Sequence, residues 1–163
     1  MKKILVAYDG GEPAQRALDT AAELARLTGA TIAVVSVVPV RPGRFPIEPW
    51  DDASVHAQEL IEARRMLREK GIEAELIEPS GDPAITIERV AEDGGFDTVV
   101  VGSRSLNLMS RVLQGSVSEH VATHAKATVV IARGLDDLAG LGLVRARPRR
   151  VRVKERAPNS PPT

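Results

Sequence analysis

The 163-residue chain is predicted to fold as an α/β domain in which helices cover both faces of a doubly wound parallel sheet. Five short runs rich in Val, Ile, Leu and Ala punctuate the chain, and most are nearly continuous in apolar residues. Such runs are typical of strands that are buried on both faces. The segments between them carry apolar residues at helical spacing. Strands that alternate with helices of this length indicate parallel pairing through right-handed crossovers.

The first half of the chain is predicted to hold two buried strands and two helices. In the first helix, Pro13 stands in the first turn, where its missing N–H costs nothing, and Gly29 ends the helix. The second helix is expected to place Glu59, Glu62 and Glu69, which alternate with arginines, on a solvated face. Its expected inward residues are Val55, Leu60, Ile61, Ala63 and Leu67. The predicted elements are a strand over 2–8, a helix over 13–29, a strand over 31–38, a proline-rich loop over 39–50 and a helix over 53–70.

The second half continues the alternation. Gly71 ends the second helix, and residues 80–83 are interpreted as a loop followed by an N-cap, Asp82, and a first helical residue, Pro83. The predicted elements are a strand over 72–77, alternating as an edge strand does, a helix over 83–93, a strand over 97–101, a helix over 116–125 and a strand over 127–132.

Composition excludes several classes of protein. The absence of Cys removes disulfide scaffolds, thiolate metal sites and Cys nucleophiles, and it fits a cytoplasmic location. Aromatic residues make up only 2% of the chain, too few for a base-stacking nucleic-acid reader. No run approaches the ~18 apolar residues of a membrane span. No nucleophile pattern, paired carboxylates or Walker A lysine stands out, so these motifs predict no catalytic reaction.

The net charge of zero is a cancellation between two unlike parts. Residues 1–133 hold 15 basic and 19 acidic side chains, whereas residues 134–163 hold seven basic and three acidic ones with four prolines. We therefore predict a domain over 1–133 and a basic, Pro/Arg-rich extension over 134–163. The extension is interpreted as a flexible solvated tail. The alternatives are a basic arm for an acidic partner and a short edge strand over 151–154.

The loop after the fourth strand predicts an anion site. Ser116 and Glu119 form a capping box that fixes a helix start, with Gly115 just before it. Free backbone N–H groups and the positive end of the helix dipole would favour a phosphate there. Arg104, Arg111 and the loop hydroxyls can add contacts. If the strand order is 3-2-1-4-5, this loop meets the one after the first strand, which carries Asp9, at the point where ligands bind doubly wound sheets.

These residues resemble the universal stress protein family. Its signature, G-x2-G-x9-G-[S/T], stands here as Gly102-x2-Ser105-x9-Gly115-Ser116, and the opening ILVAYDGG resembles the family's first strand and helix start. The resemblance covers roughly residues 1–133. It implies a five-stranded parallel sheet of order 3-2-1-4-5, of the adenine-nucleotide alpha-hydrolase type, and a homodimer formed through the fifth strand, residues 127–133.

The resemblance also implies a site and a function. The function is an ATP-binding regulatory module in stress response, with Mg²⁺ held through the phosphates and at most slow ATP hydrolysis as an enzymatic activity. Asp9 would contact ribose or phosphate, and Val37 and Val101 would line the adenine pocket. The residues implied for ribose and phosphates are Gly102, Gly115, Ser116, Val117 and Ser118, with Arg104 and Ser105 from the same loop. Ser105 stands in place of the second motif glycine and Gly11 in place of the usual serine. The alternative is therefore an interaction protein of the same family with a lapsed nucleotide site.

Two further sets of residues are weighed. His120 and His124 are four residues apart on a helix, a spacing that can hold a metal, but they lack the HExxH acid. They are interpreted as a solvent-facing pair or as dimer contacts. Phe45 and Trp50 are interpreted as anchors of their loop, with a lid over the pocket as the alternative.

Overall fold

The structure is a computed structural model that describes residues 1–40, 53–103 and 117–134. Seven strands and four helices lie within these ranges. In chain order they are β1 (Lys3–Ala7), α1 (Glu12–Thr28), β2 (Thr31–Val35), β3 (Val38–Pro39), α2 (Ala53–Glu69), β4 (Ala74–Ile77), β5 (Ser80–Gly81), α3 (Pro83–Asp93), β6 (Thr98–Gly102), α4 (Val117–His124) and β7 (Thr128–Ala132).

The central sheet has the order β4-β2-β1-β6-β7, and every pair in it is parallel. This order is the predicted 3-2-1-4-5, so the predicted fold class is confirmed. β1 is the middle strand and pairs with β2 on one side and β6 on the other. The chain winds outward in opposite directions from this strand, so the crevice of a doubly wound sheet opens at the carboxyl ends of β1 and β6.

Each face of the sheet carries its own aliphatic core. On one face, Ile4 and Val6 of β1 pack with α1 and α2, and all of the residues Ala17, Leu18 and Leu67 are fully buried there. On the other face, Leu5, Val99 and Val101 pack with α3 and α4. Alternate residues of one strand point to opposite faces, so only a nearly continuous apolar run can supply both cores.

The helix ends follow the predicted signals. Gly29 has φ 72° and its N–H donates to the carbonyl of Ala25, which ends α1. Gly71, after α2, has φ 75°. Asp82 is the N-cap of α3, where its side chain accepts hydrogen bonds from the N–H groups of Ala84 and Ile85, and Pro83 is the first helical residue. These positions confirm the predicted ends because glycine tolerates positive φ and a carboxylate satisfies unpaired helix donors.

The prediction for the segment after β2 is wrong in part. A single strand was expected over 31–38, but the sheet strand ends at Val35, and β3 pairs instead with β5 in a separate two-stranded parallel sheet. The Val38 N–H donates to the carbonyl of Pro79 at 2.9 Å. Residues 80–81 were expected as loop. A pairing between segments about forty residues apart leaves no local signal in either one.

The predicted inward face of α2 is also wrong in part. Leu60, Ala63 and Leu67 are buried as expected, whereas Val55 and Ile61 are 52% and 48% exposed. Helical residues turn by about 100° each, so 60, 63 and 67 form one stripe and the other two lie well off it.

Several predictions fall outside the described residues. These are the loop over 41–50 with Phe45 and Trp50, the motif residues Arg104, Ser105, Gly115 and Ser116, and the extension beyond Gly134. Within the described ranges, no helix has both the length and the apolar character needed to cross a membrane.

Candidate functional site

A cavity of about 250 Å³ opens beyond the carboxyl ends of β2, β1 and β6. It lies where the strand order reverses, which is the position expected for a ligand in this architecture. Its walls are mostly apolar and come from the ends of these strands and from the helices on both faces of the sheet. The lining residues are Ala7, Tyr8, Asp9, Pro13, Ala14, Val35, Ser36, Val37, Pro39, His56, Pro83, Ile87, Val101, Gly102, Val117 and Ser118.

Every predicted site residue that the structure describes lines this cavity. They are Asp9, Val37, Val101, Gly102, Val117 and Ser118. Val37 and Val101 are almost fully buried, at 8% and 3% exposure; Val37 lies two residues after β2, and Val101 is the last residue but one of β6. The fold therefore brings together residues that are more than a hundred positions apart in sequence. The other predicted residues, Arg104, Ser105, Gly115 and Ser116, lie outside the described ranges.

The turn after β1 places Asp9 at the rim of the cavity. Gly10 has φ 72°, a conformation that glycine adopts without strain. The Gly11 N–H donates to Asp9 Oδ1 at 3.1 Å, and Gly11 is the N-cap of α1 without a side-chain hydrogen bond. The carboxylate is thus held by the backbone at the start of α1, in place of the hydroxyl cap that a serine at position 11 would supply.

Gly102 ends β6 in close contact with the first turn of α1. A Cβ at this position would lie 2.2 Å from the carbonyl oxygen of Pro13, which is backbone and unable to move aside. The next residue is fixed as well, since the Ser103 N–H donates to the carbonyl of Ala132 at 2.9 Å. Packing therefore explains the first glycine of the motif, because only a residue without a side chain lets β6 and α1 meet at the floor of the cavity.

The described part of α4 begins at the opposite side of the cavity from β2. Val117 and Ser118, in its first turn, line the cavity and are half-buried. The start of a helix carries a partial positive charge, which favours an anion. One end of the cavity is thus suited to a negatively charged group.

A hydrogen-bonded cluster at the other end was missed by sequence reasoning. Ser36, which follows β2, lies with its Oγ 2.8 Å from His56 Nδ1 and donates to Glu59 Oε2 at 2.8 Å. His56 Nδ1 and Glu59 Oε2 are 2.9 Å apart. Ser36 and His56 line the cavity, and Glu59 lies behind them.

The prediction that Glu59 lies on a solvated face is therefore wrong. Its side chain is only 15% exposed, and that of His56 is 16% exposed. A signal existed in the sequence: the two residues are three apart on a helix and so share one face, and that face follows the apolar stripe. It identified no site because the third member, Ser36, lies after β2 and is twenty residues from His56 in the sequence.

Tyr8 is buried, directly follows β1 and lines the cavity. Burial raises the pKa of its phenol, and the nearby carboxylates of Glu62, Glu59 and Asp9 raise it further. A hydrogen bond with Gln15 lowers the pKa by a smaller amount. The phenol stays protonated at neutral pH, so Tyr8 contributes an apolar ring and an uncharged hydroxyl.

The His120–His124 pair lies away from the cavity. The two rings stack with centroids 4.2 Å apart, and His120 Nε2 is 3.4 Å from a Glu88 carboxylate oxygen. Among the described residues there is no group of three His, Cys, Asp or Glu side chains arranged to hold a metal ion.

Comparison with known proteins relates this chain to one family, in sequence and in fold. The universal stress protein family matches residues 1–133. The universal stress protein YxiE of Bacillus subtilis is 30% identical over 145 residues, which cover 80% of this chain and 98% of that protein. The structure of the universal stress protein from Archaeoglobus fulgidus in complex with dAMP has a TM-score of 0.62 at 28% identity, covering 80% and 97% of the two chains. An Arabidopsis thaliana family protein with AMP bound shares the fold, with a TM-score of 0.64 at 22% identity over 84% of this chain and 95% of that one.

The sheet order and the crevice define the class: an α/β protein with the fold of adenine nucleotide-binding proteins. Within that class, the chain belongs to the universal stress protein family.

Proposed function

We propose that this protein binds an adenine nucleotide, ATP with Mg²⁺ on its phosphates, and acts as a cytoplasmic regulatory module in stress response. The observation that carries the proposal is the convergence of Asp9, Val37, Val101, Gly102, Val117 and Ser118 on one cavity. The nucleotide seen with the Archaeoglobus fulgidus relative supports the same ligand class.

The two ends of the cavity suit the two ends of a nucleotide. β2 and β6 flank β1, so their ends are about 10 Å apart at the usual strand spacing. The apolar side chains of Val37, Pro39 and Ile87 lie at or near the β2 end and suit a flat base. The start of α4 lies at the β6 end and suits phosphate. Asp9, between them, would contact the ribose or a phosphate.

The polar cluster at the β2 end does not make the protein a hydrolase. A Ser-His-acid triad needs the two imidazole nitrogens to face different partners, so that one takes the serine proton while the other is oriented by the carboxylate. Here Ser36 and Glu59 both contact Nδ1 of His56. We therefore propose binding and signalling, with slow ATP hydrolysis as the furthest chemical activity.

Calorimetric titration with ATP and Mg²⁺ tests the proposal. We expect micromolar-range binding by the full chain, and we expect Asp9→Ala to weaken it about tenfold or more, the usual effect of removing a charged hydrogen-bond partner. Asp19→Ala is the matched control, because Asp19 is an exposed α1 residue that pairs with Lys70 away from the cavity. Gly115→Val should also weaken binding by crowding the phosphates.

Absence of ATP binding by the purified protein would instead favour the second candidate, an interaction protein of the same family with a lapsed site. Ser105 in place of the second motif glycine is the observation behind that candidate. If Ser105→Gly then creates binding that the parent lacks, the site has lapsed. Mass spectrometry of the native protein for co-purified nucleotide gives an independent answer.

We further propose that the basic extension contacts an acidic partner. Residues 134–163 carry seven basic and three acidic side chains, against 15 and 19 in the rest of the chain. Truncation after Gly134 should abolish salt-sensitive retention on a polyanionic matrix while ATP affinity stays unchanged. Equal retention of the truncated and full chains would show that the extension is not the contact surface.

A further inference from the structure

We propose that His56 determines base specificity, because Glu59 and Ser36 fix its ring so that Nε2 presents a hydrogen-bond acceptor to the base. The inference rests on the proposed function and adds a residue from α2 to it. Its starting point is the geometry of three polar atoms within 2.8–2.9 Å of one another, Ser36 Oγ, His56 Nδ1 and Glu59 Oε2.

The proton on the imidazole is placed by its neighbours. A carboxylate oxygen only accepts hydrogen bonds, so Glu59 Oε2 at 2.9 Å requires a proton on Nδ1. The Ser36 hydroxyl gives its own proton to the same carboxylate oxygen and so leaves its lone pairs toward Nδ1. In the neutral ring, the tautomer with a proton on Nδ1 has a bare lone pair on Nε2.

Nε2 is the atom of this cluster left for a ligand. Both neighbours contact Nδ1, and among the described residues Nε2 has no hydrogen-bond partner. The ring lines the cavity at the β2 end, beside the apolar residues that suit a base. Ser36 is 1% exposed and fixed by the backbone, since its N–H donates to the carbonyl of Ile77 at 3.1 Å. The orientation of the His56 ring is therefore set by Ser36, which is itself held by the edge strand β4.

A hydrogen-bond acceptor at this position distinguishes purines with a donor at C6 from purines with an acceptor there. Adenine carries an amino group at C6, which donates, whereas hypoxanthine carries a carbonyl oxygen there, which would face the Nε2 lone pair. Sites that hydrogen-bond one functional group reject an analogue that cannot reciprocate far more strongly than apolar pockets do. We expect ATP to bind at least about tenfold more tightly than ITP, the fold-change typical of one mispaired buried polar contact.

The experiment measures Kd for ATP and for ITP by calorimetry on the full-length protein and four variants. His56→Phe keeps an aromatic ring but removes Nε2, and the ATP/ITP preference should fall to near one. Glu59→Gln removes the obligate acceptor and admits the other tautomer, so it should reduce the preference while leaving His56 in place. The matched controls are His124→Phe, an exposed histidine remote from the cavity, and Glu62→Gln, an exposed glutamate on the same helix. Both should keep the preference of the wild type.

The outcomes separate this inference from the proposed function. If the wild type binds ATP but binds ITP equally well, or if His56→Phe keeps the wild-type preference, the inference is overturned and nucleotide binding stands. If Glu59→Gln keeps the full preference, Glu59 does not set the tautomer. If the wild type binds neither nucleotide, the proposed function fails and takes the inference with it. Thermal unfolding of each variant identifies any that lose the preference by misfolding. If His56→Phe is misfolded, the result for Glu59→Gln decides the test.

Discussion

At the scale of single residues, hydrogen bonds from short side chains join the strands at the amino edge of the sheet. Asp97, just before β6, accepts from the hydroxyl of Thr98 at 2.8 Å and from the backbone N–H of Lys2 at 2.6 Å. Its own N–H donates to the carbonyl of Lys3, and its carbonyl accepts from Thr128. One residue thus ties together the starts of β1, β6 and β7.

This network gives a pH-dependent stability. The Thr98 hydroxyl, with the Lys2 N–H, holds the pKa of Asp97 below its ordinary value of 3.8. The stabilisation is therefore fully present above that value and is lost as the pH falls through the lower folded-state pKa, because protonation removes the charged acceptor. We expect Asp97→Asn to lower the free energy of unfolding at pH 6, and the gap from the wild type to shrink toward pH 3.

Urea unfolding at a series of pH values measures this gap. Asp93→Asn, which changes an exposed carboxylate in the last turn of α3, is the control and should follow the wild type throughout. A gap between Asp97→Asn and the wild type that stays constant from pH 6 to pH 3 would contradict the assignment.

At the scale of elements, the wall of the cavity depends on how α3 begins. β5, the Asp82 cap and Pro83 follow one another without a break, and Pro83 lines the cavity. The pairing of β3 with β5 ties this start to the segment that follows Val37. A local cap and a nonlocal strand pair therefore hold the same corner of the site.

The cap can be tested alone. Asp82→Ala leaves the N–H groups of Ala84 and Ile85 without their acceptor, at 3.0 and 3.1 Å, and should cost about 1 kcal/mol of stability. Asp82→Ser restores a capping oxygen and should recover most of the loss. Chemical denaturation of both variants makes the comparison, with Glu78→Ala, an exposed site nearby, as the control. Equal losses for alanine and serine would show that the side-chain bond contributes nothing.

At the scale of the whole molecule, β7 is an edge strand that pairs with β6 on one side. Within the described ranges, no strand covers its other side. Its middle residues Val129, Val130 and Ile131 are only half-buried. An uncovered, apolar edge strand is a template for pairing with another chain, so we propose that the homodimer implied by the family resemblance forms through residues 127–133.

A proline placed at the right residue distinguishes the two sides of β7. The Thr128 N–H donates to the carbonyl of Asp97, toward β6, so the N–H of Val129 points to the uncovered side. Val129→Pro should therefore leave the β6 ladder intact and weaken a dimer formed through this edge. Light scattering after size-exclusion chromatography, over a range of concentrations, gives the mass. A wild-type protein that stays monomeric, or a variant that stays fully dimeric, would rule out this interface.

Much of this molecule was determined by the sequence alone. Apolar runs, helical spacing and end signals such as Gly29, Gly71 and Asp82 are local, so they predicted the alternation, the fold class and the helix ends. The motif at Gly102 and the turn at Asp9 predicted where the site lies, because parallel strands bring their carboxyl ends to one edge.

Tertiary structure decided what no local pattern encodes. The β3–β5 pair joins segments about forty residues apart. The Ser36–His56–Glu59 cluster needs α2 to pack on the face of β2 toward which Ser36 points. This packing makes Glu59, which was predicted to be solvated, a largely buried hydrogen-bond acceptor. Likewise the tight contact of Gly102 with Pro13 exists only once β6 lies under α1. Residue type and periodicity determine which elements form, whereas the identity of a side chain's neighbours depends on distances that only the packed chain sets.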